Sequence, residues 1–575
     1  MIRLVRPRYE WVEPAAVPPE RGAALAAELG LPVELCDILV RRGLGEPQAA
    51  KRFLRPDPRA LHSPHLLPDM QAAVDRVESA VTREETVLVH GDYDADGLSG
   101  TALLTRGLAE LGAKTEPFVP HRTKDGYDLG AAGLARARQV GAALILTVDC
   151  GVSAMDPVRQ ATEAGIDVVI TDHHRPGPEL PPASAVVNPN RKDSTYPFRG
   201  LAGVGVAFKL LTALYDRAGV PEERLNQHLD LVAIGTVSDL APLEDENRVL
   251  VRLGLRALGR TRKPGLAALV EATGLGHQEI GARDVGFGLA PRLNAAGRIG
   301  TPEESLRLLL TEEEAEARGL ALRLNDQNER RRAADRRVVA EAEAKLATSY
   351  VPERDRVVVL WEEGWPLGVL GLAASRLAQR LHRPTVLLTF DGERGRGSAR
   401  SVEGFHLFRA LEACGSVLER FGGHRMAAGL DIRRSRLDEF VERFTAHGDR
   451  VLGAARLAPR LRIDLALPLR SVTPRLHRSL SYLEPHGEGN PRPVLVARGV
   501  ALSDPKRVGQ DASHLKATLR DEGARVEAIG FRLGQRLEEL RGATRWDVAF
   551  ELEEEVWRER RRLSARVLDF RPALD

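Results

Sequence analysis

The sequence has few cysteines, few aromatic residues and no long hydrophobic run. Its three cysteines, Cys36, Cys150 and Cys414, are scattered without CxxC spacing, which argues against a disulfide framework and a cysteine-ligated zinc site. No segment approaches the ~18 consecutive apolar residues of a membrane span. The N-terminal stretch MIRLVRPRYEWVEPAA lacks the apolar core of a signal peptide. We therefore expect a cytoplasmic protein that does not bind a membrane.

Size and composition are those of an ordinary globular protein. A chain of 575 residues is expected to form roughly three or four domains. A net charge of +2 is too small to indicate a nucleic-acid partner. Arginine greatly outnumbers lysine and its planar guanidinium suits phosphate binding, but a coding bias or a heat-adapted host would give the same excess. Composition therefore leaves the function open.

The segment from about Val87 to Val237 alternates short aliphatic runs with helix-like stretches. The runs are TVLVH, AALILTVD, IDVVITD, SAVVN and LVAIGTV. Strands that alternate with helices predict a parallel sheet with helices on both faces. Because ligands of such sheets bind beyond the carboxyl ends of the strands, the residues that follow each run are the candidates for a site.

Acidic residues and histidines occupy these positions. In chain order they are His90, Asp92, Asp94, Asp96, Asp149, Asp172, His173, His174 and Asp239. Taken alone, the stretch HGDYDADG is explained equally well as a solvated acidic turn. Several predicted strands that all end in such residues are harder to explain as turns, so we expect one site at this edge of the sheet.

Converging carboxylates require a positive partner. Two carboxylates ~4 Å apart repel by roughly 4 kcal/mol at an effective dielectric constant near 20. Lysine and arginine are absent from the strand ends, so divalent cations are the expected counter-charge. Aspartate oxygens with one or two histidine nitrogens favour Mn²⁺ or Mg²⁺. Two ions about 3.5–4 Å apart would clamp the attacking and leaving oxygens of a phosphoryl centre.

The tandem histidines are expected to have different roles. A single histidine at a strand end is more often structural than a ligand, but adjacent histidines can point apart. We expect His173 to bind metal. We expect His174 to be catalytic and to donate to the scissile phosphate or its neighbour, with its tautomer fixed by a supporting partner.

The remainder of the chain predicts three further parts. Residues 311–349 are rich in Glu, Ala, Arg and Leu without proline, which predicts a long charged helix. A second α/β module follows, with RVVVLWEEGW and PTVLLTF as strands around the helix GVLGLAASRLAQRL. After Pro459, short alternating strands predict a small β-barrel.

Three segments outside the acidic cluster are candidates for binding an anion. Ser398, Arg400 and Ser401 lie in a glycine-rich stretch that we expect to be a turn with free backbone N–H groups. Gly423 and His424 lie in a second such stretch, which allows close backbone approach. The third candidate, Arg298, follows Ala-Ala-Gly and would reach a phosphate from the first module. Tight turns without a ligand are the alternative explanation.

The acidic segments resemble a known family. HGDYDADG, LTVDCG, VITDHH and GTVSDLAPL are similar to the four motifs of the DHH phosphoesterase superfamily. The resemblance implies that His90, Asp94 and Asp96 bind metal and leaves Asp92 as a catalytic residue that supports the ligands or bridges the ions. It also implies that Asp149 is shared between two metals. By the same resemblance, His173 and Asp239 complete the ligand sets.

Within that superfamily the chain is most similar to the RecJ family of bacterial exonucleases. The similar blocks, in order, are PRLNAAGRIG (291–300), EEGWPLGVLGLAASRL (362–377), GSARSVEGFHL (397–407), FGGHRMAAGL (421–430) and EPHGEGNPRPVL (484–495). Many relatives have a histidine where this chain has Pro366, so we assign that position no role. The resemblance implies that Arg298, Ser398 and Arg400 grip the 5′ phosphate, that His424 lies along the strand, and that the barrel is an OB fold.

The resemblance also implies an architecture. The expected fold is α/β, with a parallel-sheet DHH domain and a second α/β DHH-associated domain joined by a long helix, followed by a β-barrel OB fold. The expected boundaries are 1–50 for an N-terminal segment, 51–310 for the DHH domain, 311–350 for the connecting helix, 351–455 for the DHH-associated domain and 456–575 for the OB fold.

The implied function is a two-metal exonuclease using Mn²⁺ or Mg²⁺, which degrades single-stranded DNA from 5′ to 3′ into mononucleotides in DNA repair and recombination. The implied partners are the 5′-phosphate end of single-stranded DNA, a helicase and a single-strand-binding protein, and we expect a monomer. One alternative is a DHH-type phosphodiesterase acting on short oligonucleotides or dinucleotides, for which a terminal barrel has no evident use. Another is a non-catalytic scaffold, which the complete set of ligand positions opposes.

Overall fold

A computed structural model describes residues 9–13, 16–122, 124–276, 279–453, 457–557 and 560–573. The first eight residues of the predicted N-terminal segment, the start of the predicted OB domain at position 456 and its last two residues lie outside this description. The chain divides into two compact units, one of residues 1–14 with 329–463 and one of residues 15–328 with 464–575. Among the described residues, no helix is long and apolar enough to cross a membrane.

Short helices follow the first strand of the chain. The elements are β1 (Glu10–Val12), α1 (Pro19–Leu29), α2 (Val33–Arg41) and α3 (Pro47–Leu54). Proline at the first helical position starts α1 and α3, where its missing N–H has no intrahelical partner to lose. The apolar faces of these helices belong to one hydrophobic core with the C-terminal strands, including Leu35 and Ile38 from α2 with Leu495 and Phe550.

The predicted parallel sheet lies in the next segment. Its elements are α4 (Met70–Thr82), β2 (Thr86–Gly91), α5 (Ala95–Glu110), β3 (Lys114–Phe118), α6 (Ala131–Gln139), β4 (Leu144–Val148), α7 (Met155–Glu163), β5 (Asp167–Thr171), β6 (Ala185–Val187), α8 (Gly203–Ala218), α9 (Glu222–Asn226), α10 (Leu229–Ser238), α11 (Asp245–Leu258), α12 (Pro264–Ala272), α13 (Ala282–Asp284), α14 (Ala290–Ile299) and α15 (Pro302–Leu310). A π-helix, Val285–Leu289, lies between α13 and α14.

The strand order of this sheet is β3-β2-β4-β5-β6, and every neighbouring pair is parallel. The chain passes from β2 to β3 on one side and then returns to β4 on the other side, so the order reverses at β2. In open α/β sheets the crevice beyond the carboxyl ends of the strands at such a reversal is the usual ligand site. The acidic residues after β2 and β4 lie at this crevice.

One predicted strand is wrong. The segment LVAIGTV belongs to α10, a helix that packs against α5, α8 and α11. Every residue from Leu229 to Val237 is buried, so the helix has no polar stripe. An apolar run of this length fits a buried strand and a buried helix equally well, and periodicity cannot separate them. Asp239 therefore follows a helix, and the site is built from three strand ends and one helix end.

The predicted long helix, α16, extends from Glu314 to Ser349 and contains the division between the two units. The second module follows it, with β7 (Val358–Glu363), α17 (Leu367–Leu381), β8 (Thr385–Asp391), β9 (Arg394–Arg400), α18 (Leu407–Ala413), β10 (Arg420–Gly423), β11 (Ala427–Arg433), α19 (Leu437–Leu452) and β12 (Arg460–Arg462). Its sheet order is β10-β11-β9-β8-β7, with β7 and β8 parallel and the other neighbouring pairs antiparallel. In the same unit, β12 pairs in parallel with β1.

The predicted glycine-rich turn at Ser398 and Arg400 is also wrong. These residues belong to β9, which is paired on both sides, with β8 and β11. The backbone N–H groups of β9 are therefore used in the sheet. Glycines at 395 and 397 lie on the buried face, where Phe390 and Leu388 leave no room for a side chain. The glycines thus reflect close packing of a central strand.

The C-terminal strands close into a barrel, as predicted. The elements are β13 (Leu465–Ala466), α20 (Pro474–Leu480), β14 (Leu495–Val508), β15 (His514–Asp521), β16 (Ala524–Gly530), β17 (Trp546–Trp557) and β18 (Arg560–Pro572). The pairing runs β14-β15-β16-β18-β17, and β17 pairs back to β14. Short 3₁₀ turns elsewhere are Pro58–Ala60, Pro64–Leu66, Gly415–Val417, Arg434–Arg436, Leu469–Ser471, Ser481–Leu483 and Gly534–Gly542.

A buried arginine connects the parallel-sheet domain to the segment before the barrel. Arg248, on α11, donates hydrogen bonds to five backbone carbonyls, those of Phe53, Tyr482, Leu483, Glu484 and Pro485, at 2.7–3.4 Å. Its guanidinium carbon also lies 3.7 Å from the ring centroid of Phe53. Burial, with the nearby charge of Arg252, lowers the pKa of Arg248 to about 9.

Replacing Arg248 by lysine should destabilise this unit. An ammonium has three donors, so at least two of the five buried carbonyls would lose a partner, each costing about 1–3 kcal/mol. We expect Arg248→Lys to lower the free energy of unfolding by about 2–4 kcal/mol, seen as a lower melting temperature in calorimetry. Arg256→Lys is the matched control, because Arg256 is an exposed residue of the same helix. Equal melting temperatures for both variants would contradict this account.

Candidate metal centre

The turn after β2 places three aspartates at the start of α5. Asp94 caps the helix, since its carboxylate accepts hydrogen bonds from the N–H groups of Asp96, at 2.9 Å, and Gly97, at 3.3 Å. A Cβ atom at Gly97 would lie 2.5 Å from the backbone nitrogen of Asp92, so only glycine fits this turn. The alternating spacing of HGDYDADG is therefore the geometry of a tight strand-to-helix connection.

Asp96 and Asp149 are buried beside this turn. The Asp96 carboxylate accepts hydrogen bonds from the N–H groups of Gly203 and Val204, at 2.8 and 3.0 Å, and so holds the start of α8. Asp149, directly after β4, adopts a left-handed backbone conformation with φ 61°. This conformation turns the chain sharply at the end of the strand. Among the described residues, the Asp149 Oδ1 atom is buried without a hydrogen-bond partner.

Asp172 positions the tandem histidines after β5. It accepts hydrogen bonds from the backbone N–H groups of Val152, His173 and His174, at 2.7–3.0 Å. It also lies 2.8 Å from His174 Nδ1. Asn188 and Asn190 donate to the carbonyls of the two histidines. Asp172 is thus the supporting partner that fixes the His174 ring.

The structure brings most of the predicted ligands together. Three groups have potential ligand atoms within 4.8 Å of one another, namely Asp92 with Asp94 and Asp149, Asp96 with His173 and Asp239, and Asp149 with His173 and His174. Asp149 and His173 each belong to two groups. His173 Nε2 lies 3.1 Å from Asp149 Oδ1 and 3.8 Å from Asp239 Oδ2. One continuous cluster therefore contains Asp149 near its centre.

Burial and mutual repulsion raise the pKa values of the clustered carboxyls. Burial, then the charge of Asp239, raises the pKa of Asp96 to about 7, and burial, then the charge of Asp94, raises that of Asp239 to about 7. The pKa of Asp92 and the pKa of Asp149 are raised well above the ordinary value for the same reasons. Without a counter-ion, these groups are therefore difficult to ionise together.

The cluster fits divalent cations. Asp92 Oδ1, Asp149 Oδ1 and His173 Nε2 are all buried without a hydrogen-bond partner among the described residues. Burial lowers the pKa of His173, so the ring is neutral and offers a lone pair. Unpaired carboxylate oxygens beside a neutral imidazole nitrogen are the ligand set of Mn²⁺ or Mg²⁺. A bound cation would satisfy these atoms and offset the repulsion.

His90 lies apart from these groups. It is buried, its Nδ1 atom lies 3.6 Å from Cys150 Sγ, and its ring centroid lies 5.3 Å from that of Phe118. Burial lowers the pKa of His90 to about 4, so the ring is neutral. The family resemblance implied that His90 binds metal. Among the described residues, the three-residue ligand groups include Asp92 and do not include His90.

The predicted phosphate-binding residues lie in both units. In the unit with the metal cluster, Arg298 lies on α14, where a Cβ atom at its neighbour Gly297 would lie 3.2 Å from the Tyr93 carbonyl oxygen. In the same helix Asn294 accepts a hydrogen bond from the Ala95 N–H at 2.7 Å. The helix is therefore attached to the aspartate turn, and Arg298 lies next to it.

In the other unit, Ser398 and Arg400 project from β9 toward the first turns of α17. Arg400 Nη1 donates to Ser398 Oγ at 3.1 Å, and a Cβ atom at Gly371 would lie 2.7 Å from Arg400 Nη2. The Ser401 N–H donates to the Met426 carbonyl. Gly423, with φ 135°, and His424 form the turn between β10 and β11. These residues therefore lie at the same end of the neighbouring strands β9, β11 and β10.

The loop after β3 is not among the predicted site segments, because the strand before it, KTEPF, contains a proline and charged residues and does not match the pattern of a buried strand. In this loop the Tyr127 hydroxyl lies 3.3 Å from His174 Nδ1. Asp128 accepts a hydrogen bond from the Gly151 N–H at 2.6 Å, which ties the loop to the end of β4. A strand assignment at β3 would have identified these residues, since they too follow the carboxyl end of a strand.

Comparison with known families divides the chain into recognised domains. The DHH family, N-terminal domain, matches residues 86–236, the DHHA1 domain matches residues 346–447, and the RecJ OB domain matches residues 463–569. The DHH match includes most of the acidic cluster, and the OB match includes the closed barrel.

Curated relatives and solved structures extend over most of the chain. The single-stranded-DNA-specific exonuclease RecJ of Bacillus subtilis is 35% identical over 96% of this chain and 69% of the relative, and that of Salmonella typhimurium is 33% identical over 94% and 97%. The crystal structure of Thermus thermophilus RecJ in complex with Mn²⁺ has a TM-score of 0.84 at 33% identity, covering 99% of this chain and 80% of that one. A second structure of that protein, in complex with Mg²⁺, has a TM-score of 0.76 at 30% identity, covering 99% and 79%. With such identity over most of both sequences, the chain belongs to the RecJ family.

Proposed function

We propose that this protein is a metal-dependent exonuclease that degrades single-stranded DNA from the 5′ end to mononucleotides. The observation that carries the proposal is the cluster of buried, unpaired carboxylates and a neutral imidazole at the reversal point of the parallel sheet. The names of the relatives supply the substrate, and the RecJ OB match supplies a domain suited to a single strand. The proposal includes a role in DNA repair and recombination, in the cytoplasm, as a monomer working with a helicase and a single-strand-binding protein.

The ligand sets are part of this proposal. Asp92, Asp94 and Asp149 would hold one cation, and Asp96, His173 and Asp239 the other, with Asp149 shared. Bound cations would supply Lewis acidity that activates water and neutralises charge on the phosphodiester. His90 would then lie outside both ligand sets and would support the site through its contact with Cys150.

His174 is proposed to donate a hydrogen bond to the phosphate. Burial disfavours a charged ring, but the hydrogen bond and charge of Asp172 outweigh burial and raise the pKa of His174 to about 9. The ring therefore keeps a proton near neutral pH. Because Asp172 holds Nδ1, the protonated Nε2 is directed away from that carboxylate, where it would stabilise charge that develops on the phosphate oxygens.

Preference for a 5′ phosphate is proposed to come from Ser398 and Arg400, in the unit that contains residues 329–463. Arg298, in the unit with the metal cluster, is proposed separately to bind a phosphate next to the aspartate turn. Ser398 and Arg400 face the first turns of α17, and the N-terminal end of a helix favours an anion. Ser401, Gly423 and His424 lie on the neighbouring turns and would line the path of the strand. Because the backbone N–H groups of β9 are paired in the sheet, its side chains would bind the phosphate.

The direct test is digestion of oligonucleotides labelled separately at each end, with Mn²⁺, Mg²⁺ or a chelator. Metal-dependent release of mononucleotides from the 5′ end of a single strand is the expected result. Inertness toward long strands with hydrolysis of dinucleotides would instead indicate a DHH-type phosphodiesterase for short substrates.

Replacing Asp149 should separate binding from catalysis. Asn has nearly the same shape but cannot supply the shared charge. Mutation of a residue that only supports a metal ligand typically lowers metal affinity or activity by about 10–100-fold. Because Asp149→Asn changes a proposed ligand itself, we expect it to lower turnover by more than about 100-fold. Fluorescence anisotropy should show unchanged affinity for single-stranded DNA. Asp156→Asn, an exposed change on α7, should leave both quantities unchanged, and normal turnover of Asp149→Asn would refute the ligand assignment.

Both the stability of the metal-free protein and the stabilisation by metal should depend on pH. In the absence of metal, Asp96 and Asp239 have pKa values of about 7 in the folded protein. The ordinary aspartate value in unfolded chains is about 4. Folding is therefore linked to proton uptake, and the melting temperature of the metal-free protein should fall as pH rises from about 6 to 8. Because Mn²⁺ binds deprotonated carboxylates, its stabilising shift should be larger at the higher pH. An equal or larger shift at the lower pH would contradict the cluster as the metal site.

Arg400 should control discrimination between 5′-phosphate and 5′-hydroxyl ends. Hydrogen bonds to a charged group are worth about 1.5–3 kcal/mol, or roughly 10–100-fold. We expect Arg400→Ala to reduce by that factor the preference for a phosphorylated end, measured as the ratio of kcat/KM for the two substrates. Arg394→Ala is the matched control, since it lies on the same face at the other end of β9. An unchanged ratio in Arg400→Ala would place the phosphate grip elsewhere.

A further inference from the structure

A cavity of about 500 Å³ lies away from the metal cluster, in the same unit. Its walls come from the end of α1, from α3, from the second half of α11 and from the 3₁₀ turn before the barrel. Arg256, on its wall, lies eleven residues beyond the first residue of α11, or roughly 16 Å along the helix axis from the end that follows Asp239. The cavity is therefore a separate site.

Four basic side chains line this cavity, namely Lys51, Arg55, Arg252 and Arg256. Among the described residues that line the cavity, Glu28 is the only one with a carboxylate, and its Oε1 atom lies 3.4 Å from Lys51 Nζ. Arg252 donates hydrogen bonds to the backbone carbonyls of Leu54 and Glu484, so its guanidinium already has partners within the protein. Burial, then the charge of Arg256, lowers the pKa of Arg252, which shows that positive charge here is incompletely compensated.

Arg55 and Arg256 are exposed and, within the described part of the chain, have no carboxylate within salt-bridge distance. Two such guanidiniums at the mouth of a concave site, with Lys51 beside them, provide forked donors for a phosphate. The charge of the cavity thus favours an anion.

An aromatic and apolar surface lies beside these charges. The Tyr482 side chain is 48% exposed, although large apolar side chains of this protein are mostly buried. Its backbone is held by Arg248, which donates to the Tyr482 carbonyl at 3.3 Å. Leu29 and Leu54 supply apolar wall on the other side. An exposed ring on a fixed backbone is a surface on which a nucleic-acid base stacks.

We propose that this cavity is a second nucleotide-binding site, in which Arg55, Arg256 and Lys51 hold a phosphate and Tyr482 stacks on the base. Its volume lies within the range of about 300–1,000 Å³ that is usual for small-molecule sites. The nucleotide is either a free mononucleotide or one unit of a single strand, because both offer the same phosphate and base. The choice of a nucleotide rests on the proposed function, whereas capture of an anion does not.

Binding should be measured on the full chain in a chelator, so that no cleavage occurs. Isothermal titration calorimetry with deoxyadenosine monophosphate, inorganic phosphate and a short oligothymidylate tests both sources of the nucleotide. We expect saturable binding that Arg256→Glu and Arg55→Glu each weaken by at least about 10-fold, the size of one charge-assisted contact. Arg262→Glu, the same change at an exposed residue that does not line the cavity, should have no effect.

A second variant separates stacking from charge. Tyr482→Ala should weaken binding of deoxyadenosine monophosphate while leaving binding of inorganic phosphate unchanged. A loss of oligonucleotide affinity in Arg256→Glu that matches the loss of mononucleotide affinity identifies the strand as the ligand, and a loss confined to the mononucleotide identifies the free nucleotide. Absence of saturable binding, or equal effects of Arg256→Glu and Arg262→Glu, would overturn the proposal. Nuclease activity is measured separately with metal, so its absence with intact nucleotide binding would refute the proposed function alone.

Discussion

Mutual repulsion of buried carboxylates is the constraint around which the parallel-sheet domain is built. The turn after β2, the end of β4 and the end of α10 each deliver carboxylates to a place from which water is largely excluded. Burial and the charge of Asp94 keep the pKa of Asp92 well above the ordinary value, although the charges of His174 and Arg122 lower it. The surrounding backbone stabilises individual members, through the cap made by Asp94 and the α8 N–H groups that Asp96 accepts from. The arrangement is therefore complete only with cations, which couples folding of this edge to metal binding.

The tandem histidines show how one short segment supplies two chemical characters. His173 and His174 are adjacent in sequence, yet burial keeps one ring neutral and Asp172 keeps the other protonated. The difference arises from a single buried carboxylate that accepts from two backbone N–H groups and one ring nitrogen of the pair. A neutral imidazole and a protonated one thus occupy neighbouring positions, and only His174 is paired through its ring with Asp172.

Much of the fold was predictable because its strands are short, aliphatic and separated by helices. The strands at β2, β4, β5 and β6, the long helix and the barrel all follow from such patterns. Prediction failed where burial removes the pattern, as in α10, or where glycines pack instead of turning, as in β9. That the acidic residues and the tandem histidines lie close together was predictable, because parallel strands share one edge. Their grouping was not, because the choice between His90 and Asp92 depends on side-chain directions in a turn.

The left-handed backbone of Asp149 restricts which residues can occupy this position. Glycine, asparagine and aspartate adopt a positive φ at little cost, whereas other side chains are strained there. Of these three residues only aspartate carries a charge. The ligand role proposed for Asp149 therefore admits only aspartate at this position, since glutamate would meet backbone strain. Asparagine or glycine at position 149 would keep the left-handed turn after β4 but would remove the carboxylate, so the backbone and the charge at this position can change independently.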